Sequence, residues 1–223
     1  MPMFKFSSEQ KNKISTAVKN AETKTSGEIA TAFIKESYDY AIYELLFAVL
    51  VGFIYFIVML FFSEALETIL QRMFWDYQTS YLLAFYGFST FLVIAIAYFV
   101  ANISYVDRLI VSNKVKQQKV EERAMQHYMQ SGISYTRDRT GILIFVSYLE
   151  KRVVLLADTG INEKIEQHEW QKIVDHIIAG IKDEQLTRNL VDAIEDCGKL
   201  LQKHFPIKDD DTNELDNDIE ILE

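Results

Sequence analysis

The chain has few of the residues and motifs that usually mark chemistry in a protein. Its single cysteine, Cys197, excludes an internal disulfide. The sequence contains no Walker-type phosphate loop, no Gly-x-Ser-x-Gly elbow and no His-Glu-x-x-His zinc motif. The first thirteen residues have neither an apolar core nor a small-residue cleavage site, so we expect no cleaved signal peptide. The sequence therefore offers no motif that assigns a common enzyme class.

The histidines also lack the spacing of a metal site. The chain has four of them, at positions 127, 168, 176 and 204. His168 and His176 are eight residues apart, about two helical turns, which is too far for one metal on a regular helix. We interpret the four as solvated or helix-capping residues, and His204 lies where it would interact favourably with a helix C-terminus.

Long apolar runs are what the chain does have. Tyr43 to Phe62 is 20 residues with one charge, Glu44, at its start, and Tyr81 to Ile103 is 23 residues with none. About 20 apolar residues in a helix span the hydrocarbon core of a bilayer. The alternative is a pair of buried core helices, but a domain this small could not cover two such helices on all sides. We therefore predict a transmembrane helical hairpin over residues 43–103, with the lipid bilayer as a partner.

Charges near the two spans predict their orientation. The single basic residue between the spans is Arg72, whereas the flanks contain Lys24, Lys35, Arg108, Lys114, Lys116, Lys119 and Arg123. The positive-inside rule then places both termini and the remaining domain in the cytoplasm, as a two-pass protein of the inner (plasma) membrane. Within the loop, apolar residues recur at helical spacing after Ser63, a plausible cap. This segment is either an amphipathic helix in the outer interface or an extension of the first span.

The remaining residues, 1–37 and 108–206, have the composition of a small α/β domain. A capping box at Ser7 and Gln10 starts a helix, and Glu28 to Ile34 is typical of a strand. Beyond the hairpin, the pattern predicts a helix at 113–131, strands at 142–147 and 152–157, and helices at 162–183 and 185–204. The apolar strands predict a small mixed β-sheet flanked by helices, in which periodicity identifies three strands.

Residues 207–223 form an acidic tail. Lys208 is its one basic residue against eight acidic ones, so the tail accounts for −7 of the net charge of −9 and leaves a nearly neutral body. That balance predicts no nucleic-acid partner. The acidic composition favours a solvated, disordered tail. The alternative is a short docking segment, because Leu215, Ile219, Ile221 and Leu222 are not typical of a solubility tail.

Several short motifs together resemble the TPM domain family, and specifically its membrane-anchored bacterial branch with a two-helix insert. They are Thr25 to Ile29, Thr140 to Ser147, Glu150-x-Arg152, Ala157-Asp-x-Gly-Ile161, Trp170, His204-Phe-Pro206 and Asn213-Glu-Leu215. The resemblance implies a mixed four-stranded sheet. It also implies one of three roles: acid phosphatase activity, divalent metal binding, or assembly and repair of membrane complexes.

The sequence departs from the family pattern at two places. Many soluble TPM domains have Asp-Asn-Gly before the central strand, where this chain has Arg139-Thr-Gly141. The branch often places proline after Asn-Glu-Leu, where this chain has Asp216. The first departure removes the acidic and amide residues that a cation would bind there.

The candidate ligand site consists of two loops that should meet at one end of the central strands. Its residues are Asp138, Arg139, Thr140, Asp158 and Gly160. Asp158 either holds a divalent cation, the one cofactor this site would suit, or caps the helix that follows it. Glu150 and Arg152 lie at the other end of the hairpin, where a salt bridge or a turn contact is expected.

Two functions fit these observations. The first is a non-enzymatic, membrane-anchored module that binds another membrane protein or assists its assembly. The alternative is a metal-dependent phosphatase acting at the membrane surface. Phosphoryl transfer needs a metal-bound water or a nucleophile together with cationic groups. The chain offers one carboxylate and nearby arginines, so the first function is favoured.

Overall fold

The computed structural model describes residues 5–103, 110–208 and 210–222. Arg108, one of the basic residues used in the orientation prediction, lies outside the described residues. The chain divides into two compact units, Met1–Tyr38 with Lys114–Glu223, and Asp39–Asn113. The second unit interrupts the first in sequence after the first strand, and each is described by itself.

A four-stranded mixed sheet is the centre of the first unit. Its strands are β1 (Glu28–Ile34), β2 (Gly141–Ser147), β3 (Arg152–Ala157) and β4 (Glu220–Leu222), in the order β3-β2-β1-β4. β1 pairs in parallel with β2 and with β4, while β2 and β3 form an antiparallel hairpin. The predicted α/β fold with a small mixed sheet is confirmed, and the first three strands fall within one residue of their predicted bounds.

Three helices cover one face of this sheet. They are α1 (Ser8–Glu22), α7 (Gln167–Lys182) and α8 (Leu186–His204). The predicted capping box is present, because Ser7 Oγ accepts from the Gln10 N–H and the Gln10 side chain accepts from the Ser7 N–H. Apolar residues one helical turn apart, such as Ile173 and Ile177 on α7, pack against Ile142 and Ile144 of β2. This is the larger core of the unit.

The opposite face of the sheet is covered by α5 (Asn113–Gln130) and a short 3₁₀ turn at Ile133–Tyr135. The apolar side of α5 packs in one cluster with every second residue of β2. The cluster contains Val120, Ala124 and Tyr128 of α5, and Leu143 and Phe145 of β2. Because successive strand residues point to opposite faces, β2 is buried at all seven positions. Coverage of both faces explains why its sequence is continuously apolar rather than alternating.

One helix in the second half of the domain differs from the prediction. The region predicted as one helix over 162–183 is a single-turn helix, α6 (Thr159–Asn162), followed by α7 from Gln167. Ile161 lies within α6 and Ile165 lies between α6 and α7, and both are buried in the core. A sequence pattern that continues through such a turn gives no signal of the break.

Residues 210–222 are ordered against the first unit, so the disordered-tail interpretation is wrong for them; the alternative of a docking segment stays a prediction. β4 pairs with the edge of β1, and Ile219 is only 6% exposed. The backbone N–H of Leu215 donates to Glu28 Oε2 at 3.2 Å. Burial of Ile219 in the core favours an ordered segment despite the acidic composition.

The second unit consists of α2 (Ala41–Phe61), α3 (Ser63–Met73) and α4 (Thr79–Ala101). Among the described residues, α2 and α4 are long and apolar enough to cross a membrane. They pack on each other, and Asn102 Nδ2 donates to Glu44 Oε2 at 3.0 Å. The predicted cap at Ser63 is wrong, because Phe62 is the N-cap of α3 and makes no side-chain capping bond.

Candidate functional site

The β2–β3 hairpin brings the two loops of the candidate site to one end of the sheet. Ile142 pairs with Ala157 in the antiparallel register, and the backbone N–H of Asp158 donates to the Gly141 carbonyl oxygen at 3.0 Å. Lys151 closes the turn at the opposite end with a φ of 52°. Thr140 enters β2 where Asp158 leaves β3, as the sequence predicts.

Gly160 allows the two site loops to approach each other, and Gly141 allows the 3₁₀ turn at Ile133–Tyr135 to approach the start of β2. A Cβ on Gly160 would lie 2.9 Å from the carbonyl oxygen of Arg139, and a Cβ on Gly141 would lie 2.3 Å from that of Ile133. Both contacts are with backbone atoms, which cannot move aside as a flexible side chain could. The five predicted site residues are therefore adjacent through their backbones.

Their side chains, however, do not converge on one point. Thr140 Oγ1 donates to the Ser26 carbonyl oxygen at 2.9 Å. Asp138 Oδ2 accepts from Lys208 Nζ at 2.6 Å, and this bond holds the pKa of the half-buried Asp138 carboxyl below its usual value. Arg139, at a φ of 55°, donates from its guanidinium to the Ser134 carbonyl oxygen at 3.0 Å. Each of these groups thus has a partner within the domain.

Asp158 acts as the N-cap of α6. Its Oδ1 accepts from the Thr159 N–H at 2.6 Å and from Thr159 Oγ1 at 3.1 Å. The residue is 6% exposed, and its Oδ2 has no hydrogen-bond partner within the described parts of the chain. The hydroxyl of Tyr128 is also buried without a partner there. Burial first, and the Asp158 charge second, raise the pKa of Tyr128 to about 12, so Tyr128 stays a neutral O–H donor.

The described residues contain no group of three or more His, Cys, Asp or Glu side chains that could hold a metal ion. Asp158 brings one carboxylate, and the neighbouring Arg139 is cationic. A divalent cation prefers six to eight oxygen ligands for calcium, or a tight octahedron for magnesium. The site residues therefore do not fit the divalent cation that the sequence allowed for Asp158.

Sequence reasoning missed a second cluster, in which two buried carboxyls hold the C-terminal segment. Glu22 at the end of α1 accepts from the Ile29 N–H at 2.9 Å and from Asn217 Nδ2 at 2.6 Å. Burial raises the pKa of Glu22 to about 8, and it also raises the pKa of Glu28, which is 4% exposed. The cleft beside them has a volume of about 580 Å³ and is lined by Asp211, Asp216 and Asp218 among others.

The sequence carries no local signal for this cluster. Glu22 ends an amphipathic helix and Glu28 begins an apolar strand, and both positions are compatible with solvent. Only the return of residues 213–222 to this end of the sheet buries them.

At the other end of the hairpin, Glu150 makes a turn contact. Its Oε1 accepts from the Ser37 N–H at 2.9 Å, and its Oε2 accepts from the buried hydroxyl of Ser147. The Arg152 guanidinium donates to Gln117 Oε1 of α5. The expected turn contact is thus present, and it ties the segment after β1 to the hairpin.

Comparison with known proteins agrees with this fold. The family model of the TPM domain matches residues 102–200. No curated protein matches the chain. The NMR structure of the BA42 protein from the psychrophilic bacterium Bizionia argentinensis is similar, with a TM-score of 0.59 and 21% identity. The alignment covers 100% of this chain and 99% of that chain, and at this identity it shows the shared fold alone. The resemblance to the TPM domain family drawn from the sequence motifs is thereby confirmed over residues 102–200.

Proposed function

We propose that this protein is a membrane-anchored TPM-domain protein that binds other membrane proteins or assists their assembly. The observation that carries the proposal is the uncovered apolar surface of α2 and α4. Of the most apolar 18-residue stretch in each helix, only 17% is buried in α2 and only 6% in α4. An apolar surface of this extent is stable when lipid or another membrane protein covers it.

The aromatic side chains on these helices support a protein partner as well as lipid. Phe88, Phe91 and Phe99 of α4 are 79%, 76% and 75% exposed, and Phe53 of α2 is 61% exposed. Within the bilayer, helices associate by van der Waals packing rather than by the hydrophobic effect, so a protein partner would have to pack closely around these side chains.

The orientation prediction is part of the proposal. The positive-inside rule places the TPM domain and both termini in the cytoplasm of a bacterium, with α3 outside. A reporter enzyme fused after Glu223 should be active as a cytoplasmic fusion. Periplasmic activity would contradict this orientation.

Site-specific photocrosslinking in native membranes tests the binding function. A photoreactive amino acid at Phe91, which is 76% exposed, should give a discrete crosslinked band with another membrane protein. The matched control is Tyr86, which is 8% exposed and bonded to the Met59 carbonyl oxygen inside the hairpin, and it should give no such band. Crosslinks to lipid alone from every outward position would contradict the partner-binding proposal.

Metal-dependent hydrolysis of p-nitrophenyl phosphate by the purified protein would favour the phosphatase instead.

A further inference from the structure

Helix α3 has an apolar side that the hairpin covers only in part. Leu66 and Leu70 are 9% and 6% exposed and pack against Phe56, Met59 and Tyr86. At about 100° per residue, Ile69 and Met73 project beside Leu66, on the flank away from Leu70. Ile69 and Met73 are 53% and 69% exposed. The apolar side is therefore wider than the surface that covers it.

The other side of α3 is polar along its length. It carries Ser63, Glu64, Glu67, Thr68, Gln71 and Arg72. Thr68 Oγ1 donates to the Glu64 carbonyl oxygen at 2.9 Å, and Gln71 Nε2 donates to Glu67 Oε1 at 3.4 Å. These bonds stay within the helix, and the Glu64 side chain is exposed. An exposed apolar flank beside a hydrated polar face is the pattern of a helix lying in a membrane interface.

The exposed flank continues into apolar surface on both sides. Phe61 and Phe62, immediately before α3, are 84% and 60% exposed, and Phe74 and Trp75, immediately after it, are 45% and 104% exposed. Tyr77 and Tyr81 follow at the start of α4. Tryptophan and tyrosine favour the headgroup region, where the ring is partly in hydrocarbon and partly in water. This continuity identifies the occupant as lipid.

We propose that α3 lies along the boundary between lipid headgroups and acyl chains, with Ile69, Met73 and Trp75 inserted into the bilayer. The inference rests on the proposed membrane anchoring by α2 and α4. It assigns α3 to the interface, not to an extension of the first span. The polar side, with Glu64 and Glu67, then faces the aqueous phase.

Spin labels on opposite sides of α3 test this proposal in the full chain, reconstituted in phosphatidylcholine and phosphatidylglycerol vesicles. Single cysteines replace Ile69 or Met73 on the apolar flank, and Thr68 or Gln71 on the polar side as matched controls. The native Cys197 is fully buried, so the unsubstituted chain measures background labelling. Power saturation compares accessibility to oxygen, which partitions into hydrocarbon, with accessibility to a water-soluble nickel chelate.

We expect a severalfold higher ratio of oxygen to nickel accessibility at the two flank positions than at the two polar positions. Equal, nickel-accessible behaviour at all four would overturn the proposal and place α3 in water. Low accessibility to both reagents at Ile69 and Met73 would also overturn it, because a second copy of the chain would then cover the flank. Labels at Phe53 of α2 and Phe91 of α4 distinguish a wrong position of α3 from a wrong assignment of the membrane anchor. If these are accessible to nickel, the membrane anchoring itself is wrong.

Fluorescence of Trp75 gives a second measurement that needs no label on the protein. A lipid with a nitroxide near the glycerol should quench it more than a lipid with the nitroxide near the acyl end. The quenched fraction should disappear in Trp75→Phe, because the other tryptophan, Trp170, is 2% exposed in the core of the TPM domain. Stronger quenching by the deep nitroxide, or none by either, would contradict an interfacial position.

Discussion

Asn217 donates a hydrogen bond from Nδ2 to Oε2 of Glu22 at 2.6 Å, although 195 residues separate them in the sequence. The other carboxyl oxygen of Glu22 accepts from the Ile29 N–H at 2.9 Å. One buried carboxyl therefore joins the end of α1, the start of β1 and the C-terminal segment. The acidic segment is part of the folded domain rather than an appendage to it.

The raised pKa of Glu22 predicts how stability depends on pH. Its pKa is about 8 in the folded domain against 4.5 for an unperturbed glutamate, so the folded state binds the proton more tightly. This contribution to stability is fully present below pH 4.5 and is lost as the pH rises through about 8, by at most ~1.4 kcal/mol per pH unit. We expect the urea midpoint to fall between pH 6 and pH 8.

The Glu22→Gln variant should show a flatter dependence, because glutamine stays neutral throughout. Glu28 has a raised pKa as well and would preserve part of the slope. Fluorescence of Trp170 in the detergent-solubilised Trp75→Phe protein reports the transition. Glu195→Gln, at an exposed glutamate of α8, is the control and should retain the original slope. A midpoint that rises with pH would contradict the assignment.

Two neighbouring isoleucines test the docking of the C-terminal segment. Ile219 is 6% exposed and packs in the main core, whereas Ile221 is 42% exposed. We expect Ile219→Ala to lower the free energy of unfolding by about 2 kcal/mol, the lower end of the range for buried isoleucine. Ile221→Ala should change it by less, about 0.5 kcal/mol. Equal small effects in urea denaturation would mean that the segment is solvated after all.

Substitutions at Asp158 distinguish a helix cap from a site that needs its charge. Asparagine caps about as well as aspartate, so Asp158→Asn should change stability little, while Asp158→Ala should lose ~1 kcal/mol. The measurement is the thermal midpoint of each variant. An equal, larger loss in both variants would show that the buried carboxylate, including the unpaired Oδ2, has a role beyond capping α6.

Metal addition tests the remaining form of the cation hypothesis. The described residues lack a group of three metal-ligating side chains, so calcium, magnesium, manganese and zinc should each leave the melting temperature of the unsubstituted protein unchanged. A metal-dependent rise that disappears in Asp158→Asn would restore the cation site, because a neutral amide is a poor substitute for an anionic ligand.

The first unit should fold without the hairpin. Residues 1–38 joined by a short linker to residues 114–223 contain all four strands and both cores. Circular dichroism of this shortened chain in aqueous buffer should show a cooperative thermal transition. The same chain ending at residue 206 lacks β4 and the partners of Glu22 and Glu28, so it should melt at a lower temperature. An unfolded longer form would mean that the hairpin is needed for the domain to fold.

Local sequence signals predicted most of the elements. The capping box at Ser7 and Gln10 marked the start of α1, and the strand from Glu28 to Ile34 was predicted with its observed ends. The four-residue turn between β2 and β3 also fixed the register that places Asp158 beside Gly141. These features depend on neighbouring residues, and therefore a single sequence contains the information for them.

The fourth strand and the carboxyl cluster were not visible in this way. β4 is three residues long within an acidic segment, and it forms because the edge of β1 offers it backbone partners. Glu22 and Glu28 are ordinary polar positions until the same segment covers them. The direction of each side chain in the candidate site was likewise undetermined, since Thr140 and Asp138 bond to Ser26 and Lys208, which are distant in sequence.

The sequence by itself determined the two apolar helices, the α/β class and the resemblance to TPM domains, because hydrophobic periodicity and short motifs act over a few residues. Tertiary structure alone decided that the acidic C-terminal segment is a strand and that Asp158 is a cap with one unpaired oxygen. It also decided that two glutamates become buried. These outcomes depend on pairs of residues far apart in the chain, and the free energy of burial and hydrogen bonding that selects them exists only once those residues meet.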